Sequence, residues 1–151
     1  MMYDSPTLKS FTERALDNYN QCDTENGITK TICCLAGILS ILDDNARKDI
    51  FADFNIPEYI QPEPNYYIDE TKDNNNSKVA LIRHFRNSLC HFKLDGKHIK
   101  PDNKNEIKEI IFEDYYKEKI NFSCTLTANE IQQFLIDIGK HIIEKTKDGH
   151  G

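Results

Sequence analysis

The chain has 151 residues, enough for one domain with a real core. Charged and aromatic residues are both plentiful, which excludes a chain disordered throughout. Net charge is −6, which argues against general coating of polyanions. The longest apolar run, 32–42, is about half the ~20 residues that span a bilayer, and Gly37 and Ser40 interrupt it. The first residues, Met1-Met2-Tyr3-Asp4-Ser5-Pro6, carry no basic-then-apolar signal pattern. A soluble cytoplasmic protein with no membrane partner is expected.

In chain order, Ser5-Pro6 opens a helix, with Ser as N-cap and Pro at the first turn. Leu8, Phe11, Ala15 and Tyr19 follow at helical spacing, and Asn26-Gly27 breaks this helix from the next. A second helix spans about 29–42, apolar nearly all round at its centre and so expected to be the most buried helix. Asp43-Asp44-Asn45 interrupts it, and 46–54 forms a short third helix carrying Ile50, Phe51 and Phe54. Residues 56–77 differ in kind. Pro57, Pro62 and Pro64 punctuate them and Asp73-Asn74-Asn75-Asn76-Ser77 closes them, as in a long loop or insertion. Tyr59, Tyr66 and Tyr67 lie there, and pinning the loop to the body explains them better than base stacking.

The next helix, 78–92, is the most informative element. Leu81, Ile82, Phe85, Ser88, Leu89 and Phe92 fall within an arc of about 120°. Arg83, Arg86, Asn87, Cys90 and His91 fall within the opposite arc, about 140° wide. One face packs inward and the other presents the polar set. His84 lies near the edge of that polar arc. A polar turn, 94–105, follows. Ile120, Phe122, Cys124 and Leu126 then alternate with polar residues and read as a strand. Residues 107–112 can pair with them across 114–118, which makes Glu113-Asp114 part of a turn. Thr127-Ala128-Asn129-Glu130 is a capping box. It opens a last helix with Ile131, Phe134, Leu135, Ile138 and Ile142 inward. The expected fold class is mainly α: a bundle of four to five helices with a small β-hairpin before the last helix. Helices two, three and the last should pack a core around Leu35, Leu39, Phe85, Leu89, Phe134 and Leu135.

Charge is unevenly spread. Residues 78–108 hold eight Lys/Arg and three Asp/Glu, so that segment carries +5 and the remainder −11. A basic patch on an acidic body suits local RNA binding, and a solvated charged loop explains it equally well. The five cysteines include no CxxC pair, which argues for reduced thiols, most of them buried as small hydrophobes, and against a zinc site. No metal or other cofactor is expected. His98 and His150 read as inert loop or tail residues, and His141 as a solvated position on the last helix.

RNA cleavage without a metal uses the ribose 2′-OH as nucleophile. It needs a group that takes that proton, a group that protonates the 5′ leaving oxygen, and a cation for the phosphorane-like charge. Histidine suits proton transfer, arginine grips phosphate oxygens, and asparagine holds either in register. Arg86, Asn87 and His91 supply one of each. One motif histidine per chain falls short of an acid and base pair, which two facing copies would supply.

The same residues carry a family resemblance. Arg86-Asn87, with His91 five positions after the Arg, resembles the signature of HEPN domains (higher eukaryotes and prokaryotes nucleotide-binding). The preceding Leu81-Ile82-Arg83-His84-Phe85 is similar to the stretch before that signature in bacterial stand-alone members. The Phe11, Arg14 and Asn18 pattern and Ile110-Ile111-Phe112-Glu113-Asp114 also look like that branch. The resemblance covers most of residues 1–151 as a single HEPN-like domain, with the 56–77 loop as the weakest match. It implies a helical bundle that dimerises so that two motifs form one cleft. It also implies a metal-independent endoribonuclease, as in a toxin or phage-defence effector held by an antitoxin protein. Arg86, Asn87 and His91 would be catalytic, and Arg83, His84 and Lys93 would contact substrate. Two other readings stay open: a non-catalytic HEPN domain that binds nucleotide, RNA or a partner protein, and an unrelated helical module whose motif is accidental.

Overall fold

A computed structural model describes residues 5–21, 27–66, 71–91, 99–101 and 107–146. Among the described residues there are five α-helices, α1 (Ser5–Gln21), α2 (Gly27–Ser40), α3 (Asp44–Phe51), α4 (Ser77–Cys90) and α5 (Ala128–Thr146), of which α4 and α5 pack on a small sheet. The sheet is antiparallel, in the order β1 (Ile99–Pro101), β2 (Ile107–Tyr116), β3 (Lys119–Thr127). The hairpin before the last helix is therefore present, with β1 added on its edge. The sequence reading placed β1 inside a polar turn, and its three residues with a terminal Pro leave no periodicity to read.

Local chemistry explains the helix starts. Asp43 accepts the Ala46 N–H at 2.7 Å and caps α3, so the acidic interruption is itself a start signal. Asn76 accepts the N–H groups of Lys78 and Val79, at 2.9 and 3.2 Å, and caps α4. Its amide also donates to the Ala52 carbonyl, tying the start of α4 to the end of α3. The capping box at α5 forms as the sequence reads: Thr127 N–H donates to Glu130 Oε1 and Glu130 N–H to Thr127 Oγ1. Along α1 the inward stripe is rotated from the expected one. Leu8 and Thr12 are buried and Phe11 is exposed, with the Thr12 hydroxyl satisfied by the Leu8 carbonyl. Gly139 of α5 allows that approach, because a Cβ there would stand 2.6 Å from Leu16 of α1.

The six expected core residues are all buried. Phe85 is the hub. Its ring centroid lies 5.4 Å from Phe112, 5.2 Å from Phe122 and 4.7 Å from Phe134, in edge-on or tilted geometry. One side chain thus ties α4 to β2, β3 and α5. The long loop is held by Tyr59, whose hydroxyl donates to Asp137 at 2.7 Å, and by buried Ile60. Desolvation of the Tyr59 hydroxyl, with Asp137 beside it, raises its pKa. Glu63 N–H donates to the Ser123 carbonyl, so the loop also covers the outer edge of β3. Tyr67 lies outside the described residues.

The hairpin turns at Lys117-Glu118, later than the sequence suggested, so Glu113 and Asp114 belong to β2. Both turn residues have positive φ, 49° and 66°. A two-residue hairpin favours that geometry, but Gly or Asn usually fills it, and other residues cost about 1–2 kcal/mol each. Next to the turn, Asp114 pairs with Phe122 and Tyr115 with Ile120, so Asn121 is an extra residue that bulges β3.

Several further expectations are corrected by burial. Of the four described cysteines only Cys124 is buried, whereas Cys33 and Cys90 are exposed. Burial pushes the Cys124 thiol up to about 12. His141 is not solvated. Its ring packs on Phe51 and Phe54, and Nε2 lies 2.6 Å from the Ile50 carbonyl. Cys22, His98 and His150 lie outside the described residues.

Candidate active site on the fourth helix

Helix α4 is buried on more than one face. Val79, Ala80, Leu81, Ile82, His84, Phe85, Ser88 and Leu89 are all enclosed. It packs on β2 on one side and on α2 and α3 on others, so only a strip of polar residues remains. That strip contains Arg83, Arg86 and Asn87, each half-buried, then exposed Cys90 and His91 at its end.

Asn87 is fixed from behind. Its amide donates to Asp114 Oδ2 at 3.1 Å, and its carbonyl oxygen accepts from Arg86 Nη1 at 3.4 Å. The same Asp114 oxygen stands 2.8 Å from Nδ1 of His84. Two acceptors cannot share that distance, so Nδ1 carries the proton and donates to the carboxylate. The other Asp114 oxygen accepts the Tyr115 N–H at 2.8 Å. A continuous chain therefore runs His84, Asp114, Asn87, Arg86, from the core to the surface. Burial opposes ionisation of Asp114. The hydrogen bonds from His84, Asn87 and the Tyr115 N–H together outweigh it and hold the carboxyl below its ordinary value.

His84 corrects the sequence reading, which put it at the rim of the polar arc. It is fully buried, stacked on Phe122 with ring centroids 5.0 Å apart, and its Nε2 has no hydrogen-bond partner among the described residues. It therefore faces Asp114 rather than solvent. Arg83 is also committed: its Nε meets buried Asp73 at 2.9 Å. Arg47, 2% exposed, stands 3.6 Å from the other Asp73 oxygen and 2.9 Å from Asp44. This network pins the 3-10 turn Thr71–Asp73 against α4. Arg86 differs, since no carboxylate pairs with it among the described residues. Its Nε is buried without a partner there and its Nη1 reaches Asn87, leaving charge for an incoming anion.

His91 ends the helix. Its N–H donates to the Asn87 carbonyl at 3.1 Å, and its φ of −111° and ψ of 26° turn the chain out of the helix. It stands four residues after Asn87, so the two are neighbours on one face, with the imidazole exposed. The structure thus brings Arg86, Asn87 and His91 to one end of one strip. Lys93 lies outside the described residues.

Asp114 is the functional candidate that sequence reading passed over. The signal was available. Ile110, Phe112 and Asp114 alternate, so extending the strand two residues puts a carboxylate on the apolar face. Among the described residues no three His, Cys, Asp or Glu side chains gather as metal ligands, and no helix is long and apolar enough to cross a membrane.

No curated protein and no solved structure matches this chain. A family model described as HEPN pEK499 p136 matches residues 2–149, and the mainly helical architecture agrees with it. The chain belongs to that family and is a HEPN-type domain.

Proposed function

We propose that this protein is a metal-independent endoribonuclease whose site is the Arg86, Asn87 and His91 strip, completed by the same strip of a second copy in a two-fold dimer. The observation that carries the reading is the state of Arg86. A half-buried guanidinium with no carboxylate partner among the described residues, braced by an Asn that a buried carboxylate holds in turn, is arranged to meet an anion from solvent.

The chemistry follows from those groups. The ribose 2′ oxygen attacks the adjacent phosphorus and loses its proton to one His91 imidazole. The bond from phosphorus to the 5′ oxygen breaks, and that oxygen takes a proton from the His91 of the second copy. Arg86 neutralises the charge that grows on the phosphoryl oxygens. Asn87 keeps Arg86 in place through its side-chain oxygen. The products are a 2′,3′-cyclic phosphate and a 5′-hydroxyl. Effector roles of the toxin or phage-defence kind, a cytoplasmic setting and an antitoxin partner belong to the same proposal.

The test is cleavage of a single-stranded RNA in EDTA by the wild type beside His91→Ala and Arg86→Ala. Cleavage by the wild type alone, with a 2′,3′-cyclic end and no cut at a 2′-deoxy position, supports the reading. Full activity in the His91 variant, or cutting of the deoxy substrate, refutes it. Light scattering that shows a strict monomer at micromolar concentration refutes the composite site. RNA binding without any cleavage leaves the non-catalytic HEPN reading in its place.

A further inference from the structure

The hairpin tip carries a feature the catalytic strip does not use. Tyr116 is 55% exposed, the most exposed large hydrophobic residue described. Two ammonium groups attend its ring: Lys117 Nζ at 5.3 Å and Lys72 Nζ at 5.6 Å from the centroid. Lys117 reaches it from a left-handed backbone position that lysine seldom adopts.

The place of this ring follows from its neighbours. Tyr116 lies two residues beyond Asp114 on β2, so both point to the α4 side of the sheet, and Asp114 holds Asn87. Lys72 precedes Asp73, which holds Arg83. The ring is thus bracketed by two elements that grip α4 at Arg83 and at Asn87, one helical turn apart on the face that also carries Arg86. Glu113 projects to the opposite face of β2, where it accepts from the Tyr115 hydroxyl. Asp73 is fully buried.

We infer that Tyr116, with Lys72 and Lys117, forms a nucleotide-binding subsite that stacks one base of single-stranded RNA beside the phosphate held by Arg86. An exposed aromatic ring next to two lysines that pair with no carboxylate among the described residues is the chemistry that takes a base and its phosphates together, with little preference for sequence. Lys72 and Lys117 would leave the ring for the phosphates flanking the stacked base. The inference rests on the RNA reading proposed above and specifies which part of the RNA the hairpin holds.

The experiment measures binding separately from cleavage. Full-length His91→Ala protein is titrated into fluorescein-labelled single-stranded oligoribonucleotides, followed by anisotropy. In that background Tyr116→Ala should weaken binding by about 5- to 150-fold, the worth of one stacked base, and Tyr116→Phe should restore it. Lys72→Gln with Lys117→Gln should reduce the slope of log affinity against log salt by about 1.4, for two lost phosphate contacts. An oligoribonucleotide scanned with single abasic positions gives the decisive arm. One abasic position should cost affinity with Tyr116 present and cost nothing in Tyr116→Ala, a pattern that a purely structural tyrosine cannot produce. Tyr116→Leu keeps apolar bulk under the Lys72 stem and should bind as weakly as the Ala variant.

Equal binding by Tyr116 and Tyr116→Ala proteins, or indifference to every abasic position, overturns the subsite while leaving catalysis untouched. Tyr116-dependent binding by a protein that never cleaves RNA supports the subsite and overturns the nuclease. A protein that binds no single-stranded RNA overturns both.

Discussion

Asp114→Asn is the substitution that probes the site most sharply, because every partner of this carboxylate is a donor. His84 Nδ1 and Asn87 Nδ2 point at one oxygen, and the Tyr115 N–H points at the other. An asparagine has one acceptor oxygen and one NH2 group. Whichever way it turns, a donor meets a donor. A hydrogen bond to a buried charged group contributes about 1.5–3 kcal/mol, so losing or inverting half this set should cost about 2–4 kcal/mol. With a urea slope of about 2 kcal/mol/M, the midpoint should fall by about 1–2 M. The pH dependence gives an independent reading. Folding lowers the pKa of Asp114, so the folded state binds this proton less readily than the unfolded chain. The stabilisation is then present in full above the ordinary carboxylate range, near pH 4, and is lost as pH falls through the lowered folded value. Urea midpoints of wild type and Asp114→Asn should therefore differ steadily from about pH 5 upward and converge in stronger acid. Asn87 also loses its anchor, so RNA cleavage should slow, though less than in His91→Ala. Equal midpoints at pH 7, or a gap that persists unchanged in strong acid, would refute the account of Asp114 as an ionised acceptor.

Other substitutions test separate parts. His91→Ala should lower the cleavage rate by ~100-fold or more, the scale of general acid–base catalysis, without changing the urea midpoint. Arg86→Ala should cost roughly 3 kcal/mol of transition-state stabilisation in kcat/KM, again in a folded protein. Asp73→Ala strands Arg47 and Arg83 without their shared carboxylate and should destabilise by about 3–5 kcal/mol, read by urea denaturation. Desolvation lowers the pKa of His141, against the opposing pull of the Ile50 carbonyl and Asp53. Its contribution is present above the unfolded value of 6.5 and is lost as pH falls below it, so His141→Phe should flatten the stability profile in that range. Iodoacetamide on the native protein should label Cys33 and Cys90, and should reach Cys124 only after unfolding, as mass spectrometry of the peptides would show.

Much of the architecture was legible because the helices and the hairpin obey their periods. The capping box at Thr127 and the inward run of α5 each combine a local signal with a burial pattern, and both stand as read, whereas α2 is not the most buried helix: its central Cys33 is exposed and α4 is enclosed on more faces. The two errors on α4 share one cause. A helical wheel assumes one buried face, and α4 has β2 on one side, α2 on another and the loop with its 3-10 turn on a third. His84 and Arg83 were therefore read as surface residues, although one is fully buried and the other is paired with buried Asp73. In β2 the strand was stopped at Phe112 because Glu113-Asp114 looks like a turn, and the turn itself uses Lys117-Glu118, which carry no turn signature. A left-handed lysine and glutamate cannot be read from residue type, since residue type argues against them.

The division of labour along α4 follows from what each residue is anchored to. Arg86 and Asn87 precede the end of the helix, and Asp114 and His84 brace Asn87 through side chains enclosed by the core. Their positions are set before any ligand arrives, which is what a group that stabilises developing charge requires. Among the described residues His91 is held by its backbone N–H alone, and its imidazole is exposed where the helix ends. A proton carrier in the proposed reaction must accept from one oxygen and give to another, so a ring that can reorient suits it better than a locked one. The His84 ring has the opposite character: its Nδ1 proton is committed to Asp114, and Phe122 lies flat against it. Of the two α4 histidines, the exposed one is therefore suited to move protons and the buried one to hold the frame. Exchanging these environments would undo both roles. His84→Phe would leave Asp114 short of its His84 donor, whereas His91→Phe would leave the frame intact and remove only the proposed chemistry.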